Sequence, residues 1–340
     1  MGPIFLHIKP EDLNKLRNIT LTYLEKNLAI ANSINNYFTA YHHILDLIPV
    51  TVRKFFSGHI FPYNESYIEL EISYNLAVIG FYKSSLCSLR SFFELGLLYI
   101  YYDRKDNSEE IIKEWLKSQE QTPFKNNIIS GLIKIDIVAS FNSEKDIINP
   151  ISNLYSKLCD YVHTRGYYHS HTFLSGSNVV RFNRKSFELW LSYFESSMEL
   201  LITLFILKYP VGFQYTPINA KFGLNVPMGG FLNPYQVDDI KNILDAGTIE
   251  LLQRISDNDD EAKKLAKEIN AMPDISQDKF AQQVIEQDKF WIKQMGFNQW
   301  KKNLFEPTYS NIKGDQELRE YYQNKLINLA NWAKENGYYY

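Results

Sequence analysis

The sequence predicts an all-α fold: a helical bundle with a long central helix, followed by a smaller C-terminal helical region. Three observations carry that expectation. Apolar residues recur in steps of three and four over most of the chain, the spacing of a helix with one buried face. The stretch 64–103 runs without a proline and is apolar almost all round from Leu86 to Tyr102, as befits a buried helix. Residues 210–234 are rich in glycine and proline and lose the helical period, which marks a connecting loop or boundary. The expected parts are therefore 1–209, 210–234 and 235–340.

Taken in order, Pro10-Glu11-Asp12 opens a helical run over 11–47 in which Leu13, Leu16, Ile19, Tyr23 and Leu24 share a face. Pro49 ends it, and a short helix is expected at 50–57 before Gly58. Asn64 or Ser66 can cap the central helix at 64–103, which would extend about 60 Å if continuous. Gly80 and Gly96 are the places where it could bend or let a neighbour approach closely. Shorter helices follow at 108–119 and 123–139.

The next helix, 144–164, buries a stripe from Ile147 to Val162, and Pro150 is tolerable only in its first turn. Gly166 stops it. A loop or extended piece fills 166–183. The helix at 184–208 carries Phe187, Trp190, Phe194, Met198 and Phe205 toward the core. Its most apolar run, 198–207, is too short to span a bilayer. Beyond 235 the helices are more polar, and the last spans 315–335. QDKF occurs at 277–280 and again at 287–290, too few copies for a repeat.

Composition sets bounds on function. The net charge is −3 over 340 residues, which argues against a protein coated in nucleic acid but not against a local basic site. Cys87 and Cys159 both fall in apolar helical patterns and suggest core thiols in a reducing cytoplasm. The stretch MGPIFLHIKPEDL lacks a signal-peptide pattern, and no membrane partner is expected. Phosphate loops, GxGxxG after a strand, GxSxG, HExxH and CxxC are missing, so no cofactor is expected.

The stretch DYVHTRGYYHSH, residues 160–171, holds three of the seven histidines: His163, His169 and His171. Arg165 lies among them. Histidine moves protons near neutral pH, and arginine holds a phosphate and the charge that develops on it. Together they suffice for metal-free RNA cleavage, with the ribose 2′-hydroxyl as internal nucleophile. DNA lacks that hydroxyl and should resist. Between Asn153 and Ser186 there are five cations against one acid, Asp160, a field that favours a polyanion. Three rival readings stand beside this one. The histidines could be ordinary loop residues. His169-Ser170-His171 could begin a metal site with His163 or Asp160, though no familiar ligand spacing continues it. Arg90 and Glu94, four apart on the central helix with Lys83 and Cys87 on the same face, could be a structural ion pair or could orient His163.

Arg165 followed by His171 resembles the arginine, four to six residues, histidine signature of the HEPN superfamily. A second pattern, RSFFE at Arg90–Glu94 with Tyr155, Leu158 and His163 spaced as YxxLxxxxH, resembles uncharacterised bacterial helical proteins, some of which accompany phage-defence genes. The likeness covers about 64–208. It implies a helical bundle that acts as a metal-independent ribonuclease in defence or toxin systems and dimerises into a composite site. Arg165, His171 and His163 would then be catalytic, with Arg90, Glu94, Asp160 and His169 in support. The alternatives are a non-catalytic interaction module that forms a dimer or grips a partner protein, and a ligand sensor with 210–234 as its lid.

Overall fold

The computed structural model describes residues 9–49, 58–104, 109–176, 181–226, 229–312 and 315–340. Among these, every regular element is helical, so the all-α expectation holds. The expected helix at 50–57 lies outside the described residues.

Among the described residues, ten α-helices lead to residue 208: α1 Pro10–Lys26, α2 Leu28–Leu47, α3 Phe61–Val78, α4 Tyr82–Tyr102, α5 Glu109–Leu116, α6 Lys125–Ile133, α7 Asp136–Glu144, α8 Ile148–Val162, the short α9 His171–Ser175 and α10 Arg184–Lys208. Two expected single runs are each broken in two. Asn27 leaves helical geometry between α1 and α2, and its side chain donates to the Tyr23 carbonyl at 2.7 Å. The segment expected as α6 divides at Lys134 and Ile135 into α6 and α7.

The larger correction concerns the central helix. Residues 64–103 are not one rod; they fold back as the antiparallel hairpin α3–α4. Gly80 turns the chain with φ +81°, a backbone region that side chains other than glycine enter at a cost of about 1–2 kcal/mol. The arms are drawn together by two small residues. Ser73 Oγ donates to the Ser85 carbonyl at 2.8 Å, and Ser85 Oγ returns a bond to the Ser73 carbonyl at 2.7 Å. Trp190 Nε1 of α10 donates to Ser73 Oγ at 2.9 Å, so all polar atoms at this contact are used. Gly96 has the other expected role: a Cβ there would stand 2.7 Å from a Leu201 methyl, so α10 packs closely over the glycine and a larger residue would displace the Leu201 side chain.

The longest helix among the described residues is α10, with 25 residues. By length and composition alone it could cross a membrane, but 61% of its most apolar window is buried inside the protein. Trp190, Phe194, Leu201 and Phe205 are fully covered, which is the behaviour of a core helix. Much of the tyrosine content is also core: Tyr41, Tyr63, Tyr82 and Tyr99 are buried, with Tyr63 donating to the Tyr41 carbonyl at 2.6 Å.

Pro150 falls in the first turn of α8, as its missing N–H requires. That turn is held by Asn142, whose side-chain oxygen accepts from the amides of Ile147 and Ile148, both at 3.0 Å.

The division into units differs from 1–209 and 235–340. One unit comprises 1–216 with 228–268, and the other 217–227 with 269–340. The physical reason lies in the helices Pro234–Lys241 and Ala246–Asn258. Their Val237, Ile240, Leu251 and Leu252 are buried in the same apolar core as α2, α4 and α10. His43 of α2 also holds Asp239 at 3.0 Å. The glycine- and proline-rich stretch is thus not a simple linker.

The second unit has its own core of Ile292, Phe297, Trp300, Phe305, Leu329 and Ala333. Within it Lys325 pairs with Asp288 at 2.6 Å, and Trp300 Nε1 donates to the other oxygen of Asp288 at 3.2 Å. The segment 217–227 joins this unit through Lys221–Asp274, 2.7 Å, and through the Ile275 amide donating to the Ala220 carbonyl at 2.8 Å.

Candidate functional site

The end of α8 begins the site. His163 is the helix C-cap, its amide donating to the Cys159 carbonyl at 3.0 Å. Thr164 follows with φ +48° and Gly166 with φ +74°, two left-handed residues that reverse the chain. The stretch expected as plain loop then forms a 3-10 turn, Tyr167–His169, and the short α9. Ser170 starts α9 by accepting from the Phe173 amide at 3.2 Å.

Four bonds dock this segment on the bundle end that carries the α3–α4 turn. Ser175 Oγ donates to the Gly80 carbonyl at 3.0 Å. Asn183 Nδ2 and Ser186 Oγ both donate to the Leu174 carbonyl, at 3.0 and 2.8 Å. The Asn183 amide donates to the Tyr82 hydroxyl at 3.0 Å, whose own titration is pushed up to about 12 by burial. Lys83, one residue into α4, donates through Nζ to Thr164 Oγ1 at 2.5 Å. A lysine from the central hairpin is therefore seated beside the histidine-bearing loop.

Each expected residue has a definite place. Arg165 points along the surface with 78% of its side chain exposed and reaches Asp160 at 3.3 Å. Such an open pair contributes well under about 1 kcal/mol, so the guanidinium is free to exchange partners. His169 Nδ1 stands 2.7 Å from the Arg165 carbonyl, which can only accept. The proton is therefore on Nδ1, and Nε2 carries the lone pair in the neutral ring. The same ring is held edge-on to Tyr161, with centroids 4.8 Å apart. His171 opens α9 at the surface, and partial burial of its ring, then the Lys83 charge, lower its pKa below the usual histidine value. It is neutral at pH 7 and able to accept a proton. His163 has an exposed side chain.

Arg90 and Glu94 do not orient these histidines. Arg90 Nη1 pairs with Glu94 at 2.5 Å, Arg90 Nη2 donates to the Tyr155 hydroxyl at 2.8 Å, and that hydroxyl donates to Glu94. The guanidinium also lies 5.0 Å from the centroid of the Tyr155 ring. Burial, reinforced by the bond to Glu94, raises the Tyr155 pKa, so the phenol stays protonated and donating. Tyr155 precedes His163 by eight residues of α8, about 12 Å along the axis. The triad is a clasp between α4 and α8. Cys87, on the same face, has its thiol pushed up by burial against the opposing charges of Lys83 and Arg90, and stays protonated.

Among the described residues, no three His, Cys, Asp or Glu side chains are grouped to hold a metal. The residues that sequence reasoning left aside are aromatic. Tyr167, Tyr168 and Phe173 are 62, 69 and 44% exposed and touch one another edge to face at 5.0–6.0 Å between centroids. The signal was present as YY beside two histidines, but a tyrosine-rich chain hides it. Arg181 also joins the site: a Cβ on Gly176 would lie 2.9 Å from its Nε, so the guanidinium lies over that glycine. Compared with protein-family models, with curated proteins and with solved structures, the chain matches none.

Proposed function

We propose that the chain is a HEPN-like helical protein that binds RNA at the 163–176 loop and cleaves it without a metal ion, in a bacterial defence or toxin setting. The observation that carries this reading is the gathering of Arg165, His169 and His171 in one exposed loop at one end of the bundle, with Lys83 of α4 bonded to it. Arg165 and Lys83 supply the positive charge for a phosphate. His171, neutral at pH 7, takes the proton of the ribose 2′-hydroxyl as that oxygen attacks phosphorus. His163 or His169 returns a proton to the departing 5′-oxygen. The products are a 2′,3′-cyclic phosphate and a 5′-hydroxyl, and the bond count closes without water or metal. The exposed rings of Tyr167, Tyr168 and Phe173 offer faces on which unpaired bases stack.

The test is RNA cleavage in EDTA by wild type, Arg165→Ala and His171→Ala, with DNA of the same sequence as control. Loss of cleavage in both folded variants, with DNA untouched by all three, supports the reading. The same exposed aromatic triad also favours a second reading, a non-catalytic surface for a partner protein or a second copy of the chain. Well-folded wild type that neither binds nor cleaves RNA shifts the assignment to that surface.

A further inference from the structure

We infer that a groove along α1 is a base-binding subsite for single-stranded RNA whose phosphates run over the 163–176 loop. This rests on the RNA reading above and extends it to a second surface of the same unit. The groove has a volume of about 800 Å³ and an apolar floor of Ile19, Tyr23 and Phe182. Asn14 and Asn18, one turn apart, line it with amides, and Lys15 stands beside them. Its charged lining groups are two lysines and one glutamate.

Three features point to a nucleobase. Tyr23 and Phe182 pack with ring centroids 5.2 Å apart, tilted by 46°, and both remain partly exposed, so a planar group can lie against them. Asparagine side chains carry both donors and acceptors, as the edge of a base does. Glu188, the acid bonded to Tyr23 of the floor, is already paired: it accepts from Arg184 at 2.7 Å and from the Tyr23 hydroxyl at 3.3 Å. The floor is thus apolar and uncharged, and its rim has more positive than negative groups.

Continuity with the loop selects RNA over a free small ligand. Thr20 of α1 donates to the Val78 carbonyl at 2.7 Å, two residues before Gly80, whose carbonyl holds Ser175 of the loop. Phe182 in the groove floor directly follows Arg181, which lies over Gly176. Helix α1 and the histidine loop therefore meet the same α3–α4 turn, and Phe182 carries the groove to Arg181 at the loop's edge. The exposed cations Arg181 and Lys185 provide a path for phosphates between the groove and the loop.

The test uses 2′-O-methyl oligoribonucleotides, which bind but cannot be cleaved, of about three and about ten nucleotides, lengths chosen around the usual single-strand site size. Binding is read by anisotropy for wild type, Phe182→Ala, Asn18→Glu and Arg165→Ala, with thermal melting as the fold check. The expected result is that the long oligonucleotide binds more tightly than the short one. Phe182→Ala and Asn18→Glu should each weaken the long one about tenfold, within the range for one stacked base, and leave the short one unchanged. Asn18 is exposed, so Asn18→Glu decides the matter if Phe182→Ala fails to fold. Equal binding of both lengths overturns the groove, as does unchanged long-strand binding in folded Asn18→Glu; the RNA site stands if Arg165→Ala still weakens both lengths. No binding of either length by folded wild type removes the RNA reading and the groove with it.

Discussion

Helix α8 carries two polar clusters built on opposite plans. At its middle, Tyr155 is closed into Arg90 and Glu94, each group taking the others as partners and little of the pair reaching water. Past its C-terminus, Arg165, His163, His169 and His171 stand on a loop whose backbone is pinned while most of their functional atoms stay open. The first cluster spends most of its hydrogen-bonding capacity on holding two helices together, with Arg90 Nε left over. The second has fixed ring orientation and left capacity over. Charged and titratable side chains draw attention in both places, and the share of partners already taken separates them.

The largest expected effect tests the open cluster. Arg165→Ala and His171→Ala should each lower the RNA-cleavage rate by about 10²–10⁴-fold, the usual worth of a proton-transfer or phosphate-binding group. Both residues are exposed, so stability should change by less than about 0.5 kcal/mol. A melting shift of many degrees would move these residues into the structural class. The closed cluster should show the reverse. Glu94→Ala leaves Arg90 without its counter-charge in a half-buried setting and should cost about 2–4 kcal/mol in urea unfolding. Tyr155→Phe removes one hydroxyl that serves both partners and should cost about 1–2 kcal/mol. Neither should alter the pH dependence of whatever cleavage remains.

The same contrast explains what the sequence made legible. Periodicity located α8 and α10 to within a few residues, and Pro150 marked the start of α8, because these signals are local; the stop expected at Gly166 comes earlier, at Val162, with Thr164 taking the left-handed position. The continuity of 64–103 was misread because Gly80 alone carries the turn, and a lone glycine inside a helical pattern is as often tolerated as it is a stop. The helices after residue 234 were assigned to a separate region because their polar faces dominate the composition. Val237, Ile240, Leu251 and Leu252 are few, and only three-dimensional packing shows which core they enter. Histidine density found the loop. Lys83 was visible only as an extension of a helical face, since its approach to Thr164 spans 81 residues of sequence.

The turn that unites these elements should bear a measurable load of its own. Gly80→Ala places a side chain at φ +81° and should cost about 1–2 kcal/mol without touching either cluster's partners. If Gly80→Ala also lowered cleavage beyond its stability effect, the bond from Ser175 to the Gly80 carbonyl would be the route, and the loop's position would depend on the turn.

The smallest effect is the most discriminating. Burial and the Lys83 charge both lower the His171 pKa in the folded protein, so the unfolded chain binds a proton there first as pH falls. Stability from this group is therefore full above the usual histidine value of about 6.5 and declines as pH falls below it. If His171 is the proton acceptor, the acid limb of kcat/KM should lie below that same value. Lys83→Met removes one of the two causes and should move the limb upward, toward the ordinary value, leaving the part due to burial. The same substitution should weaken RNA binding through the lost charge, at any pH. An acid limb that stays in place while binding weakens would keep Lys83 as a phosphate contact and take the proton-accepting role from His171. His169, whose Nδ1 is held by the Arg165 carbonyl so that Nε2 carries the lone pair, would then be the base.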